Sequence, residues 1–439
     1  MSHQNDPARL AADLSRALEG PVLRPEDPGA AEESAGFQLG LRHRPDLVAG
    51  ARNAADVRAT LRLAGTYGVP VTVHNTGHGM RAAADGGVLL TLRRLDAVTV
   101  DPATATAQVA GGATWDQVIT AAAPHGLVPP SGSLGGVGAV GYTFGGGIGL
   151  LGRADGWAAD HVRAFTVVTG DGDREVGPDD PEDFARLRGS GPAPGEVVTR
   201  MTVGLLPEGP LQGGGLAFDI GPSDADGDPE VPHAFHRWTA DLPRALTATL
   251  RVMAFPQLDQ LPPHLKGRRI ARVAVALRGT PELADQLLAP LRELGNPIED
   301  SVAPMRFGAY ARVHAEPDDA GAFIGENLLV DALTPQGLDS LARLTGPMVI
   351  TNIRHLGGAL ADPPAVPDTV MGRDARYLVA TVSEVEPELP GPAPEPAAAH
   401  DQFGPARVLE PFAAARVGVS RSFSVGPRPR TSPTPQEQA

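Results

Sequence analysis

The sequence predicts an α+β protein built in two main parts. Short strand candidates, turns and isolated helices follow one another over the first half, an order that suits α+β better than a doubly wound sheet. At 439 residues the chain exceeds one compact core, so two domains are the natural division. The composition changes at Glu208-Gly209-Pro210, and Gly213-Gly214-Gly215 follows, which places the boundary there.

The elements can be justified in order. Asp6 caps a helix over residues 6–19, Pro7 suits its first turn, and Leu10, Leu14 and Leu18 share one face. A connector with Pro and Gly occupies 20–35. Asn53 caps a second helix carrying Val57, Leu61 and Ala64 that ends near Gly68, and Pro70 opens the next strand. Strands are expected over 88–92, 98–101 and 105–110. Thr114 caps a helix through Trp115, Val118 and Ile119 that ends near Gly126. Residues 162–169 read as a strand, Asp171-Gly172 as a hairpin turn, Arg174-Glu175-Val176 as the return, and 196–206 as a further strand. Beyond the boundary, 270–277 and 377–382 are strands. Residues 281–294 form a helix with Leu283, Leu287, Leu288 and Leu291 as its apolar stripe. Residues 387–399 read as a Pro/Ala/Glu-rich linker, 400–415 as a helix, and 427–439 as a disordered tail.

Composition narrows the function. A net charge of −15 argues against a general nucleic-acid binder and against anionic membrane surfaces. The absence of cysteine excludes disulfides, thiolate metal sites and cysteine nucleophiles. Residues 1–6 have neither the basic region nor the apolar segment of a signal peptide, and no apolar run is long enough to span a bilayer. A cytoplasmic protein is expected. Asp224, Asp226 and Asp228 resemble a calcium loop briefly, but Gly227 falls too early and no closing glutamate follows, so no metal site is expected. No GxSxG or HExxH anchors a hydrolase reading.

Two stretches stand out. Residues 131–149, from Ser131-Gly132-Ser133-Leu134-Gly135-Gly136-Val137-Gly138 through Gly141-Tyr142-Thr143-Phe144 to Gly145-Gly146-Gly147-Ile148-Gly149, are dense in glycine. Glycine packs nothing and costs entropy, so its use here is to let backbone N–H groups crowd around an anion or a flat ring. The alternative is a tight hairpin with bulges. The pattern is neither a dinucleotide GxGxxG opening a helix nor a phosphate loop with Gly-Lys-Ser/Thr. The second stretch, His74-Asn75-Thr76-Gly77-His78-Gly79-Met80, closes a strand with a small polar loop of the kind that nests anions. His78 could reach a bound ring, whereas His74 continues the strand alternation and reads as structural.

Taken together, these stretches resemble the flavin-binding domain of the vanillyl-alcohol-oxidase superfamily, the p-cresol methylhydroxylase type, and within it the berberine-bridge-enzyme-like oxidases of actinobacteria. The resemblance runs through Arg44-Pro45-Asp46, Thr76-Gly77-His78-Gly79, Asp85-Gly86-Gly87-Val88, Ala110-Gly111-Gly112, the 131–149 run, Gly156-Trp157-Ala158-Ala159-Asp160-His161-Val162 and Gly195-Glu196-Val197-Val198-Thr199. Ile353-Arg354-His355-Leu356-Gly357-Gly358-Ala359 looks like a motif of the actinobacterial members. The implied fold is a two-part FAD-binding domain plus an α+β substrate domain with an antiparallel sheet. The implied layout is an N-terminal helix and connector (1–36), the FAD-binding domain (37–209), the substrate-binding domain (210–386), a linker and C-terminal segment returning to the FAD domain (387–426) and the tail (427–439). The implied cofactor is FAD, contacted by Asn75, Thr76, Gly77, His78, Gly79, Met80, Gly132, Ser133, Gly138, Gly141, Tyr142, Gly145, Gly146 and Val198. In the family the residue matching His78 is often bonded to the flavin; the bland reading is a loop histidine that hydrogen-bonds backbone. The family's second, cysteinyl link would fall at Leu134 and is excluded. Ser131, Ser133 and Thr143 either bond the cofactor or cap local turns. Asp160 and His161 are equally open.

The implied activity is oxidation of an alcohol, sugar or secondary metabolite, a small-molecule substrate, by hydride transfer to flavin, with molecular oxygen as acceptor. The alternatives are a flavin-binding protein that has lost catalysis and a dehydrogenase using another acceptor. Three departures motivate them. Ile148 stands where some members have a tyrosine, Arg188–Gly195 carries two prolines in place of a glycine run, and the family's C-terminal segment is unrecognisable around Arg421-Ser422-Phe423-Ser424. No catalytic base is assigned. Tyr310, His314, His355 and Tyr377 are the polar candidates of the second part, Tyr310 and His314 being four apart and able to share a helix face.

Overall fold

The computed structural model describes residues 6–295, 297–344, 349–385 and 405–426. The linker and tail expected at 387–399 and 427–439 lie outside them, as do residues 400–404 of the helix expected at 400–415.

The first part forms much as its capping residues dictate. Asp6 accepts from the Arg9 N–H at 3.0 Å, and helix Pro7–Ala17 buries Leu10 and Leu14. Asn53 accepts from the Asp56 N–H at 2.9 Å, and helix Ala54–Tyr67 ends at Gly68, which sits at φ 68°. Asp56 also accepts from the backbone N–H of Glu19, Gly20 and Arg52, which ties the two helices together. A four-stranded sheet lies beside them in the order Val22–Leu23, Leu47–Gly50, Val88–Thr91, Val71–His74, the last three parallel. A second, antiparallel sheet runs Val98–Asp101, Thr106–Ala110, Val197–Gly204, Val162–Val168, Asp173–Val176. Its Asp171-Gly172 hairpin closes with Thr169 N–H donating to Gly172 O at 2.8 Å.

The second part is a nine-stranded antiparallel sheet. Helices Glu230–Thr239, Pro281–Arg292 and Pro335–Leu341 cover one face, over a core that includes Leu250, Val273, Leu288, Val330, Leu338 and Ile353. Side chains alternate along each strand, so the neighbours of these residues face the other way. On that face Ala274 and Ala276 pack with Ile119, Leu150 and Leu151, and Leu329 and Leu378 pack with Ile148 and Trp157. The sheet thus lies against the glycine-rich run. Mixed helices and segregated antiparallel sheets make this an α+β fold. No helix of the described residues is long and apolar enough to cross a membrane.

Within the run 131–149, Ala139–Phe144 is a short helix whose Ala139 and Val140 pack on the second sheet, so the alternative of a hairpin does not form there. Gly213-Gly214-Gly215, which follow the composition change at 208–210, lie in the middle of strand Leu211–Pro222. A Cβ on Gly213 or Gly215 would meet Met305 or the Arg272 guanidinium, and Gly214 (φ 147°) lies against Ser301, so glycine is what lets the edge of the sheet close. The helix expected to 415 runs only over Pro405–Leu409 and gives way to a 3-10 turn, Glu410–Ala415.

Arg153 fastens the two parts. Its buried guanidinium donates to Leu246 O and Leu242 O at 2.9 Å each, to Leu356 O, and to His355 Nε2 at 3.2 Å. Charged hydrogen bonds of this kind contribute about 1.5–3 kcal/mol each. Arg153→Met is therefore expected to lower the unfolding free energy by roughly 3 kcal/mol or more, measured by urea denaturation. Arg153→Lys should restore only part of the loss, because an ammonium cannot reproduce the planar fork.

Candidate functional site

The loop after strand Val71–His74 is shaped by its neighbours. His74 is buried between His43 (Nδ1 to Nε2, 3.2 Å) and Ala35 O (3.2 Å), which makes it structural. Gly77 sits at φ 74°, and the Phe37 N–H donates to Thr76 O at 2.8 Å. The His78 ring stacks on Phe37, with centroids 4.0 Å apart and planes at 13°, and its Nδ1 lies 3.2 Å from Thr76 Oγ1. Burial pulls the His78 pKa down to about 4, so the imidazole is neutral near pH 7. Met80 O accepts from the Gly426 N–H at 3.0 Å, and Arg81 pairs with Glu326 at 3.0 Å. Both contacts bind the loop to the rest of the chain.

The glycine run meets this loop. The Gly138 N–H donates to Thr76 Oγ1 at 3.3 Å, and a Cβ on Gly138 would stand 2.6 Å from Asn75 Nδ2. Gly136 is opposite His78, at 3.8 Å by the same measure. Gly132 faces the Tyr142 phenol, Gly145 O accepts from Ser422 Oγ at 3.2 Å, and Gly146 and Gly147 sit at φ 94° and 71°. Gly79 and Gly141 have open space beside them. Ser131 Oγ and Tyr142 Oη are buried without a hydrogen-bond partner among the described residues. A cradle in which a Cβ at Gly138, Gly145, Gly146 or Gly147 would clash, with orphaned polar atoms along it, fits a flat polar ligand such as a flavin. The other hydroxyls are spent: Ser133 Oγ donates to Glu316 at 2.6 Å and Thr143 Oγ1 to Ala139 O at 2.8 Å. Val198 packs its side chain into the second sheet's core, so only its backbone, beside the irregularity between Val198 and Arg200, is open to a ligand. Asp160 and His161 are also engaged, Asp160 by the Trp157 N–H and Arg373, His161 by Asp155 O at 2.8 Å.

Across from the run, the nine-stranded sheet presents a polar row. Arg272 lies opposite Arg251, and Arg251 opposite Asn352, in register across three strands. Arg251 donates to Asn352 Oδ1 at 3.0 Å, His314 O at 2.9 Å and Glu316 Oε1 at 2.5 Å. Burial would raise the Glu316 carboxyl, but His314, Arg251 and Arg354 beside it and the Ser133 hydrogen bond hold it below the usual carboxylate range. His314 is pushed down to about 3 by burial, and its Nδ1 has no partner among the described residues.

The four polar candidates separate. His314 reaches this row. Tyr310 does not share its face: a 3-10 turn precedes it, and its phenol donates to Asp116 at 2.6 Å beside Gly135. His355 and Tyr377 belong to the helix-covered side, where their rings stack at 5.4 Å and Tyr377 meets Thr239 at 2.9 Å. The sequence reading missed Phe37, Arg251 and Glu316. Nothing local marks them, since each joins the site only through strand register or chain crossing.

Comparison with known proteins agrees with this geometry. Residues 45–176 match the FAD binding domain family. The chain is 31% identical over 319 residues to (R)-6-hydroxynicotine oxidase of Paenarthrobacter nicotinovorans, covering 70% of this chain and 65% of that protein. The crystal structure of 6-hydroxy-D-nicotine oxidase from Arthrobacter nicotinovorans superposes with a TM-score of 0.76 at 21% identity, covering 93% of this chain and 88% of that one. Berberine-bridge-enzyme-like protein 1 of Physcomitrella patens does so with a TM-score of 0.78 at 15% identity, covering 94% and 90%. The chain therefore contains an FAD binding domain over residues 45–176 and shares the fold of these two solved structures, and it spans 65% of the length of the nicotine oxidase it matches.

Proposed function

We propose that the chain is an FAD-dependent oxidase that removes a hydride from an alcohol, sugar or secondary metabolite and passes the electrons to molecular oxygen. The observation that carries this is the meeting of the 75–80 loop with the glycine run at Gly138 and Thr76. When bound there, FAD supplies the hydride acceptor. In this reading the backbone of Asn75–Met80 holds the pyrophosphate, and the glycines of 132–146 admit the ring. Tyr142 serves as a donor rather than a base, because burial raises its phenol and keeps it protonated. The relatives' names, a nicotine oxidase and a chitooligosaccharide oxidase among them, support the oxidase class but leave the substrate open.

A second reading, a flavin protein without oxidase chemistry, draws on Ile148, which is buried beside Trp157 and cannot take a proton. Flavin bleaching by any member of an alcohol and sugar panel under nitrogen excludes it. Rapid recolouring in air then supports oxygen as the acceptor over an artificial dye.

We infer further that His78 carries the flavin covalently. Its neutral imidazole is the nucleophilic form, and Phe37 fixes its plane. Acid precipitation of the purified protein should carry the yellow colour into the pellet, whereas His78→Ala should bind FAD yet release it to the supernatant. Attachment by apo-protein given FAD should proceed at nearly the same rate at about pH 5.5 and 8, because the neutral form prevails above a pKa of about 4. A histidine with an ordinary pKa of about 6.5 would instead slow roughly tenfold at the lower pH.

A further inference from the structure

Among the described residues, Arg354 is the cation of the polar row whose donors are unclaimed. It lies opposite Thr249 on strand Val349–His355, one alternation on from Asn352, and so faces the site. Its two arginine neighbours are satisfied. Arg272 donates to Val313 O at 2.5 Å and pairs with Glu299 at 3.3 Å, and Arg251 is fully engaged as described. Glu316, the acid whose charge acts on Arg354, accepts from Arg251 on one oxygen and from Ser133 on the other. Among the described residues Arg354 makes no hydrogen bond. Its contact is the face of Phe423, 4.4 Å from the guanidinium carbon, and a cation–π contact leaves the N–H donors free.

The charges do not cancel. Arg251 and Arg354 face one carboxylate, and burial keeps His314 neutral. Protein surrounds Arg354 and Tyr142, yet neither residue is fully buried, and among the described residues the enclosed Tyr142 phenol has no partner. A guanidinium enclosed without an acceptor is costly, and an anionic oxygen group offsets that cost through two parallel bonds.

We propose that Arg354 binds an anionic oxygen group of the substrate, so that the oxidised small molecule carries a carboxylate or an equivalent anion, held between the guanidinium and the Tyr142 phenol. This rests on the oxidase reading above. It specifies which metabolites enter: acids rather than neutral sugars or alcohols.

The test is isothermal titration calorimetry of the purified holoprotein with acetate, benzoate and phenylacetate, each against its amide. Flavin content is recorded separately from the spectrum. Wild type should bind at least one acid roughly tenfold or more tighter than its amide, and Arg354→Met should abolish that preference. Arg354→Lys should keep part of it, which decides the matter if the methionine variant fails to fold. The proposal is overturned if wild type treats acids and amides alike, or if a folded Arg354→Met keeps the preference while the flavin midpoint potential shifts, which would assign Arg354 to the flavin instead. Failure of the oxidase reading looks different: the protein would stay colourless after addition of FAD, whatever the calorimeter reports.

Discussion

Close backbone approach along residues 132–147 is the constraint on which the rest depends. A Cβ at Gly138 would press on Asn75, at Gly145 on Ser422, at Gly146 on Trp157 and Val370, and at Gly147 on Tyr142. These partners come from the first sheet's loop, the C-terminal segment and the stretch between the sheets. Separate parts of the chain converge on this strip because its glycines have no side chains to hold them off. The same absence leaves Ser131 and Tyr142 with polar atoms turned inward and unmatched.

The electrostatics of the enclosed space follow from strand register rather than from composition. The protein carries a net charge of −15, yet the face turned to the glycine run collects Arg272, Arg251 and Arg354. Like charges opposite one another on a sheet destabilise it unless each finds acceptors. Loop 313–316 supplies them through Val313 O, His314 O and the Glu316 carboxylate. Burial keeps His78 and His314 neutral, so the guanidinium groups dominate the field.

The departures from the family pattern have structural counterparts. Arg188, at the head of the proline-containing segment, stacks over Phe184 at 4.2 Å and donates to Val366 O and Pro367 O at 2.7 Å each. That segment therefore anchors residues 366–369 instead of presenting a row of backbone donors. The unrecognised C-terminal stretch still adds strand Arg416–Gly418 to the large sheet and then touches the first part through Ser422, Arg421 and Gly426. Ordinary contacts of backbone and small side chains do this, which is why no motif announces it.

The sequence by itself determined the α+β class, the capped helices at Asp6, Asn53 and Thr114, the Asp171-Gly172 hairpin and the two glycine-punctuated loops at 74–80 and 131–149. These signals are local: a cap, an alternation or a glycine needs only a few neighbours to act. Tertiary structure decided what depends on crossing chains. It put Gly213–Gly215 inside a strand because Met305, Ser301 and Arg272 need the room. It drew Tyr310 away to Asp116 and set His355 and Tyr377 on the far side of the sheet. It also gathered Arg251, Glu316 and Arg354 from separate stretches, since register across strands far apart in the chain has no signature in any one of them.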